Sequence, residues 1–110
     1  MSQNYSIRPE KRDGVDFFRL REGDNASAEI VPAWGNNCFD FRVQGEPILE
    51  PVPFETFRQR PTSYGIPILF PFPNRIRDGK FHFRETCYAV EPNRHGFVRD
   101  KRWNVDAMGT

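Results

Sequence analysis

The sequence predicts an all-β fold built from antiparallel strands, and three observations carry that prediction. Apolar and polar residues alternate with a period of two at 38–43 and again at 80–84, the pattern of a half-buried strand. No stretch shows a sustained 3.6-residue period. Of the 110 residues, 27 are Leu, Ile, Val or Phe, and Phe alone supplies 11 of them. Aromatic rings bury a large area each and suit a pleated surface, so this composition favours sheet over helix.

Along the chain, Val15 to Leu20 is a weak strand candidate, and Ala28 to Val31 is another. The second runs through Pro32-Ala33-Trp34 into the turn signal Gly35-Asn36-Asn37, so it reads as the first half of a hairpin or β-arch. Cys38 to Val43 is its firm second half, with Phe39, Phe41 and Val43 expected on one face and Asp40 and Arg42 on the other. Seven of the ten prolines then fall between Pro47 and Pro73, where missing backbone donors exclude a regular central strand. Glu55 to Arg60 can hold one helical turn. Ile66 to Pro73 combines strong apolarity with proline, unlike a flexible linker, and is expected to pack in extended form. After Asp78-Gly79 come Lys80 to Arg84 and Cys87 to Val90, expected to form a hairpin through 84–86. Trp103 to Val105 is a last weak strand candidate.

A length of 110 residues suits one domain or a piece of one, and residues 1–110 read as a single unit without internal repeats. The net charge is +1, yet residues 58–110 hold 10 basic and 5 acidic side chains. That excess reads either as a solvated basic face or as a field that steers an anionic ligand. No RNA-stacking motif or Lys/Arg run supports a nucleic-acid partner. Cys38 and Cys87 stand far apart and outside any C-x-x-C pair, so neither zinc nor redox chemistry is indicated. The N-terminus is polar and no segment is apolar enough to span a membrane, so the expectation is a soluble, cytoplasmic protein.

Few residues could carry chemistry. His82 shares its strand face with Lys80 and Arg84 and reads as solvent-facing. His95 lies between Pro92-Asn93-Arg94 and Gly96, on a loop that can present a ring nitrogen to a ligand. Arg75, in Asn74-Arg75-Ile76-Arg77-Asp78-Gly79, offers a planar fork suited to vicinal hydroxyls or an anion. Spacing alone leaves open a plainer role for it, an ion pair with Asp78 or Asp100.

The wording of the longer segment decides more. Tyr64-Gly65-Ile66-Pro67-Ile68-Leu69-Phe70-Pro71-Phe72-Pro73-Asn74-Arg75-Ile76-Arg77-Asp78-Gly79-Lys80-Phe81 resembles the aldose 1-epimerase pattern of G-x-P-x-L-F-P, then N-R-I, then a Gly and an aromatic strand. Asn93-Arg94-His95-Gly96-Phe97-Val98-Arg99-Asp100, with Trp103, is similar to the family's Asn, His-Gly-Phe and Trp pattern. Ile30-Val31-Pro32-Ala33-Trp34-Gly35 is a weaker third likeness. The three stand in the family's order, and the ordered combination is what makes them specific.

The resemblance implies a large antiparallel β-sandwich, the mutarotase-like supersandwich, of which this chain is the N-terminal part. It implies an isomerase that interconverts the α and β anomers of aldohexoses such as glucose or galactose. In that reading Arg75 and Asn74 bind the sugar, and His95 is an active-site residue that contacts it. The partner is a small aldose, and no metal or organic cofactor is required. Two departures stand out. The family's general base, a glutamate near the C-terminus, and its general acid, a histidine in mid-chain, have no match here, so this chain alone is expected to be inactive or nearly so. Arg84-Glu85-Thr86 stands where the family has a Gly-containing turn, and a longer loop is expected there. Two alternatives remain: a non-catalytic carbohydrate-binding or regulatory module on the same scaffold, and a hexose-phosphate epimerase using Arg77, Arg94, Arg99 or Arg102.

Overall fold

The structure is a computed structural model that describes residues 4–109. Its centre is a five-stranded antiparallel meander in which every strand pairs with its sequence neighbour. The strands are β1 (Tyr5–Arg12), β2 (Val15–Glu22), β3 (Ala26–Val31), β4 (Asn37–Val43) and the short β5 (Glu46–Pro47). Tight turns join them, with Asp13 and Gly14, and again Gln44 and Gly45, all at positive φ. A 3-10 turn at Pro32–Trp34 links β3 to β4, so these two strands form the expected hairpin. β1 was not legible from alternation. It is an edge strand interrupted by Pro9, a residue tolerated where no ladder bond is needed on the outer side.

The pairing of β3 with β4 slips by one residue, which corrects the expectation that Phe39 and Phe41 share a face. Glu29 opposes Asp40 while Ile30 opposes Cys38, leaving Phe39 as the extra residue of a bulge. Phe41, opposite Ala28, therefore joins the face of Leu20 and Ile30. Phe39 instead meets Phe17 edge-on at 6.4 Å and stacks on Phe57 at 4.7 Å.

That second face holds the core. Helix α1 (Phe54–Gln59) lies over it and inserts Phe57, which is fully buried with Phe17, Val31 and Phe39. Trp34, Phe54 and Tyr64 pack around them. Next to this cluster, Glu29 is nearly buried between two guanidinium groups, with Arg12 at 3.0 Å and Arg19 at 3.1 Å. Arg12 also lies over the Phe17 ring at 4.7 Å, so one side chain neutralises a buried carboxylate and caps the aromatic core.

Two long-range clamps tie later segments of the chain to this sheet. The buried amide of Asn37 donates to the carbonyls of Pro61 at 3.0 Å and Tyr64 at 2.8 Å, and its Oδ1 accepts from the Ile66 amide at 3.0 Å. Near the C-terminus, the Trp103 amide donates to the Pro32 carbonyl and the Gly35 amide to that of Lys101. Trp103 to Val105 is thus not a strand. It runs without regular structure across the sheet face formed by Ile7, Phe18, Leu20 and Ile30, anchored through the β3–β4 turn.

The second sheet is the hairpin of β6 (Lys80–Phe83) and β7 (Thr86–Ala89). The longer loop expected at 84–86 is absent: Arg84 and Glu85 alone make the turn, both at positive φ, doing what Gly or Asn usually does. All eight residues of this hairpin are exposed, His82 included.

Candidate active site

The two motif segments meet through backbone pairing. Residues 70–76 and 93–97 meet at two isolated bridges, a parallel one between Phe70 and Gly96 and an antiparallel one between Arg75 and Arg94. The Phe97 amide donates to the Phe70 carbonyl at 2.7 Å, the His95 amide to the Asn74 carbonyl at 2.9 Å, and the Ile76 amide to the Asn93 carbonyl at 2.8 Å. Phe72 and Phe97 add an edge-to-face contact at 5.4 Å between the two segments. Asn74, Arg75 and His95 are therefore brought together, although 20 residues separate Arg75 from His95 in sequence.

Gly96 is what allows the approach. It is buried at φ +72°, and a Cβ there would overlap the Phe70 backbone. His95 itself sits at φ +62°, held there by the amide bond to Asn74.

The ring of His95 has a defined orientation. Its Nδ1 lies 2.7 Å from the Pro73 carbonyl, which can only accept, so Nδ1 carries the proton in this contact. A neutral ring so held leaves Nε2 as a lone-pair acceptor. A backbone carbonyl does this work, which is why no acidic partner for His95 was visible in sequence. Arg75 and Asn74 are exposed, and among the described residues their side chains make no hydrogen bond or ion pair. The plainer role for Arg75, a pair with Asp78 or Asp100, is not what the structure holds. The result is a rim with a free guanidinium fork, a free amide and an oriented imidazole. The grooves along β1–β2 and under the Trp103 segment are lined by other residues.

The remaining candidates are scattered. Arg94 pairs its backbone with Arg75, whereas Arg77 stands in the turn before β6 and Arg99 and Arg102 lie toward the Trp103 segment. Sequence reasoning missed Asn37, whose role appears only once residues 61–66 fold back on β4. Among the described residues no cluster of three His, Cys, Asp or Glu side chains could hold a metal ion.

Comparison with known proteins bears on the fold and the family. The chain is similar to a galactose mutarotase-like protein from Clostridium acetobutylicum of known structure, at 32% identity over 94% of this chain with a TM-score of 0.75. The likeness takes in 34% of that protein, so this chain spans about a third of its length. The antiparallel sheets match the N-terminal part of a mutarotase-like fold. Residues 16–109 match the aldose 1-epimerase family, and the chain belongs to that family.

Proposed function

We propose that this chain supplies the sugar-holding rim of an aldose 1-epimerase, with Arg75, Asn74 and His95 as its contacts. The observation that supports the reading is the set of backbone hydrogen bonds that joins the Asn74-Arg75 segment to His95, with the His95 ring held by the Pro73 carbonyl and the Arg75 fork unpaired among the described residues. Two donors on the Arg75 fork can bridge vicinal hydroxyls of an aldohexose, and the Asn74 amide can donate to one hydroxyl and accept from another. His95 Nε2 accepts a hydroxyl hydrogen.

Mutarotation needs a proton taken from the anomeric hydroxyl as the bond from the anomeric carbon to the ring oxygen breaks, and a proton given to that oxygen. The open aldehyde then rotates and recloses on its other face. A single histidine cannot serve both ends of this transfer at once. The rim therefore holds and orients the sugar, and turnover requires a separate acid and base. Proton-transfer groups typically contribute about 100- to 10,000-fold each, so the 110-residue chain alone is expected to show little or no exchange.

Anomeric exchange of glucose and galactose, followed by polarimetry or NMR in the protein encoded by the full gene, tests the assignment. Arg75→Ala and His95→Ala are expected to lower kcat/KM by at least about tenfold each. Undiminished rates in both variants would remove the assignment. The alternative is a non-catalytic carbohydrate-binding module. It predicts that the sugar binds, that the same two variants lose binding, and that no exchange is seen in the full-gene protein.

A further inference from the structure

At the end of the sheet away from helix α1, the β1–β2 register sets Arg8 opposite Arg19 and Ser6 opposite Arg21, on the same face as Phe17. Like charges at directly opposed positions destabilise a strand pair unless a counter-charge intervenes. Arg19 has its counter-charges: Glu10 accepts from Nη1 and Glu29 from Nη2, each at 3.1 Å. Arg8 and Arg21 have none, since neither makes an ion pair or a side-chain hydrogen bond among the described residues. Arg8, Arg19, Arg21 and Ser6 line an open groove of about 320 Å³ together with Asn4 and two carboxylates, Glu10, which is held by Arg19, and Asp24. Asp24, on the β2–β3 turn, pairs with neither Arg8 nor Arg21.

An unpaired guanidinium resists burial. Whatever covers the apolar faces of the sheet, this corner is therefore expected to stay in contact with solvent or with an anion. We propose that the β1–β2 groove is a binding site for a tetrahedral oxyanion, a phosphate monoester or sulfate group, separate from the rim at Arg75 and His95. Arg8 and Arg21 supply two forked donors from adjacent strands, and the Ser6 hydroxyl lies in the same row as Arg21. Arg19, fixed by its two carboxylates, forms the floor between them.

The test is a titration of the protein at low ionic strength with inorganic phosphate, sulfate and glucose 6-phosphate, read from the arginine side-chain Nε–Hε signals. Saturable shifts at Arg8 and Arg21 are expected, with affinity lowered about tenfold or more in R8Q/R21Q. R8K/R21K keeps the charge but loses the fork, so an intermediate loss is expected. It also carries the comparison should R8Q/R21Q fail to fold by circular dichroism. R75A is expected to leave these shifts unchanged, which separates this site from the sugar rim. Tighter binding of glucose 6-phosphate would identify a phosphate monoester as the ligand, and equal binding of all three a free oxyanion. Absence of saturation at Arg8 and Arg21 would overturn the proposal, as would an equal loss in the charge-matched control R84Q/R102Q.

Discussion

At the scale of single residues, polar side chains in the interior each have a physical task. Asn37 uses all three of its bonds to hold the 61–66 stretch against β4. Asn37→Ala would leave the Pro61 and Tyr64 carbonyls without this donor, while the Ile66 amide keeps its bond to the Cys38 carbonyl at 2.9 Å, and a loss of about 2 kcal/mol is expected from a urea midpoint, given about 1–3 kcal/mol per unsatisfied buried group. Partial burial, with Asp40 nearby, pushes the Cys38 thiol above the ordinary range, whereas Cys87 is exposed. With the folded value raised, stability is fully present below the unfolded thiol's pKa and falls as pH rises from there through the folded value. Iodoacetamide at mildly alkaline pH is accordingly expected to modify Cys87 first, as mass spectrometry of the peptides would show. Faster modification of Cys38 would contradict its burial.

At the scale of elements, the alternating runs were legible in sequence because period two survives any packing partner. Cys38 to Val43 and Lys80 to Arg84 read as strands and are strands, save that Arg84 falls in the turn at positive φ. What alternation could not show was the bulge at Phe39, because the extra residue depends on the partner strand's register. Nor could it show the two-residue turn at Arg84 and Glu85, since neither residue belongs to the usual left-handed set. Ile66 to Pro73, expected to pack in extended form, has bends at Pro71 and Pro73. Its packing is also loose, with Ile66 and Phe70 largely exposed, because prolines leave only isolated bridges at Ile66 and Phe70. Of the site, the residue types and the loop setting of His95 were legible. The carbonyl that orients its ring was not, because backbone acceptors leave no mark in a sequence. Gly96→Ala should force the 93–97 segment away from Phe70. A cost of about 1–3 kcal/mol is expected, with loss of sugar binding even though no contact residue has changed. Unaltered stability and binding in this variant would show that the close approach is not needed.

At the scale of the whole molecule, the chain is extended for its length. Its radius of gyration is 17.1 Å. A compact domain of this size would have about 13 Å. Its accessible surface is 8302 Å². A compact monomer of this mass would expose about 6300 Å². Phe70, Phe81, Phe83, Tyr88 and Phe97 are all exposed. Both quantities suit a part of a larger sandwich, in line with the 34% coverage of the Clostridium acetobutylicum protein. The aromatic core of Phe17, Phe39 and Phe57 is small, so Phe57→Ala, at about 3–5 kcal/mol, is expected to unfold the sheet. With strand edges and rings uncovered, the 110-residue chain by itself is expected to self-associate on size-exclusion chromatography.

The central claim is that the rim of Asn74, Arg75 and His95 holds an aldose, and an NMR titration with galactose and glucose tests it most directly. Observing the His95 ring nitrogens and the Arg75 Nε–Hε group reads the proposed contacts themselves. The prediction is a protonated Nδ1 in the free protein, and saturable shifts at His95 Nε2 and Arg75 that vanish in the Arg75→Ala and His95→Ala variants. Sugar-induced shifts confined to other parts of the chain, or unchanged binding in both variants, would contradict it.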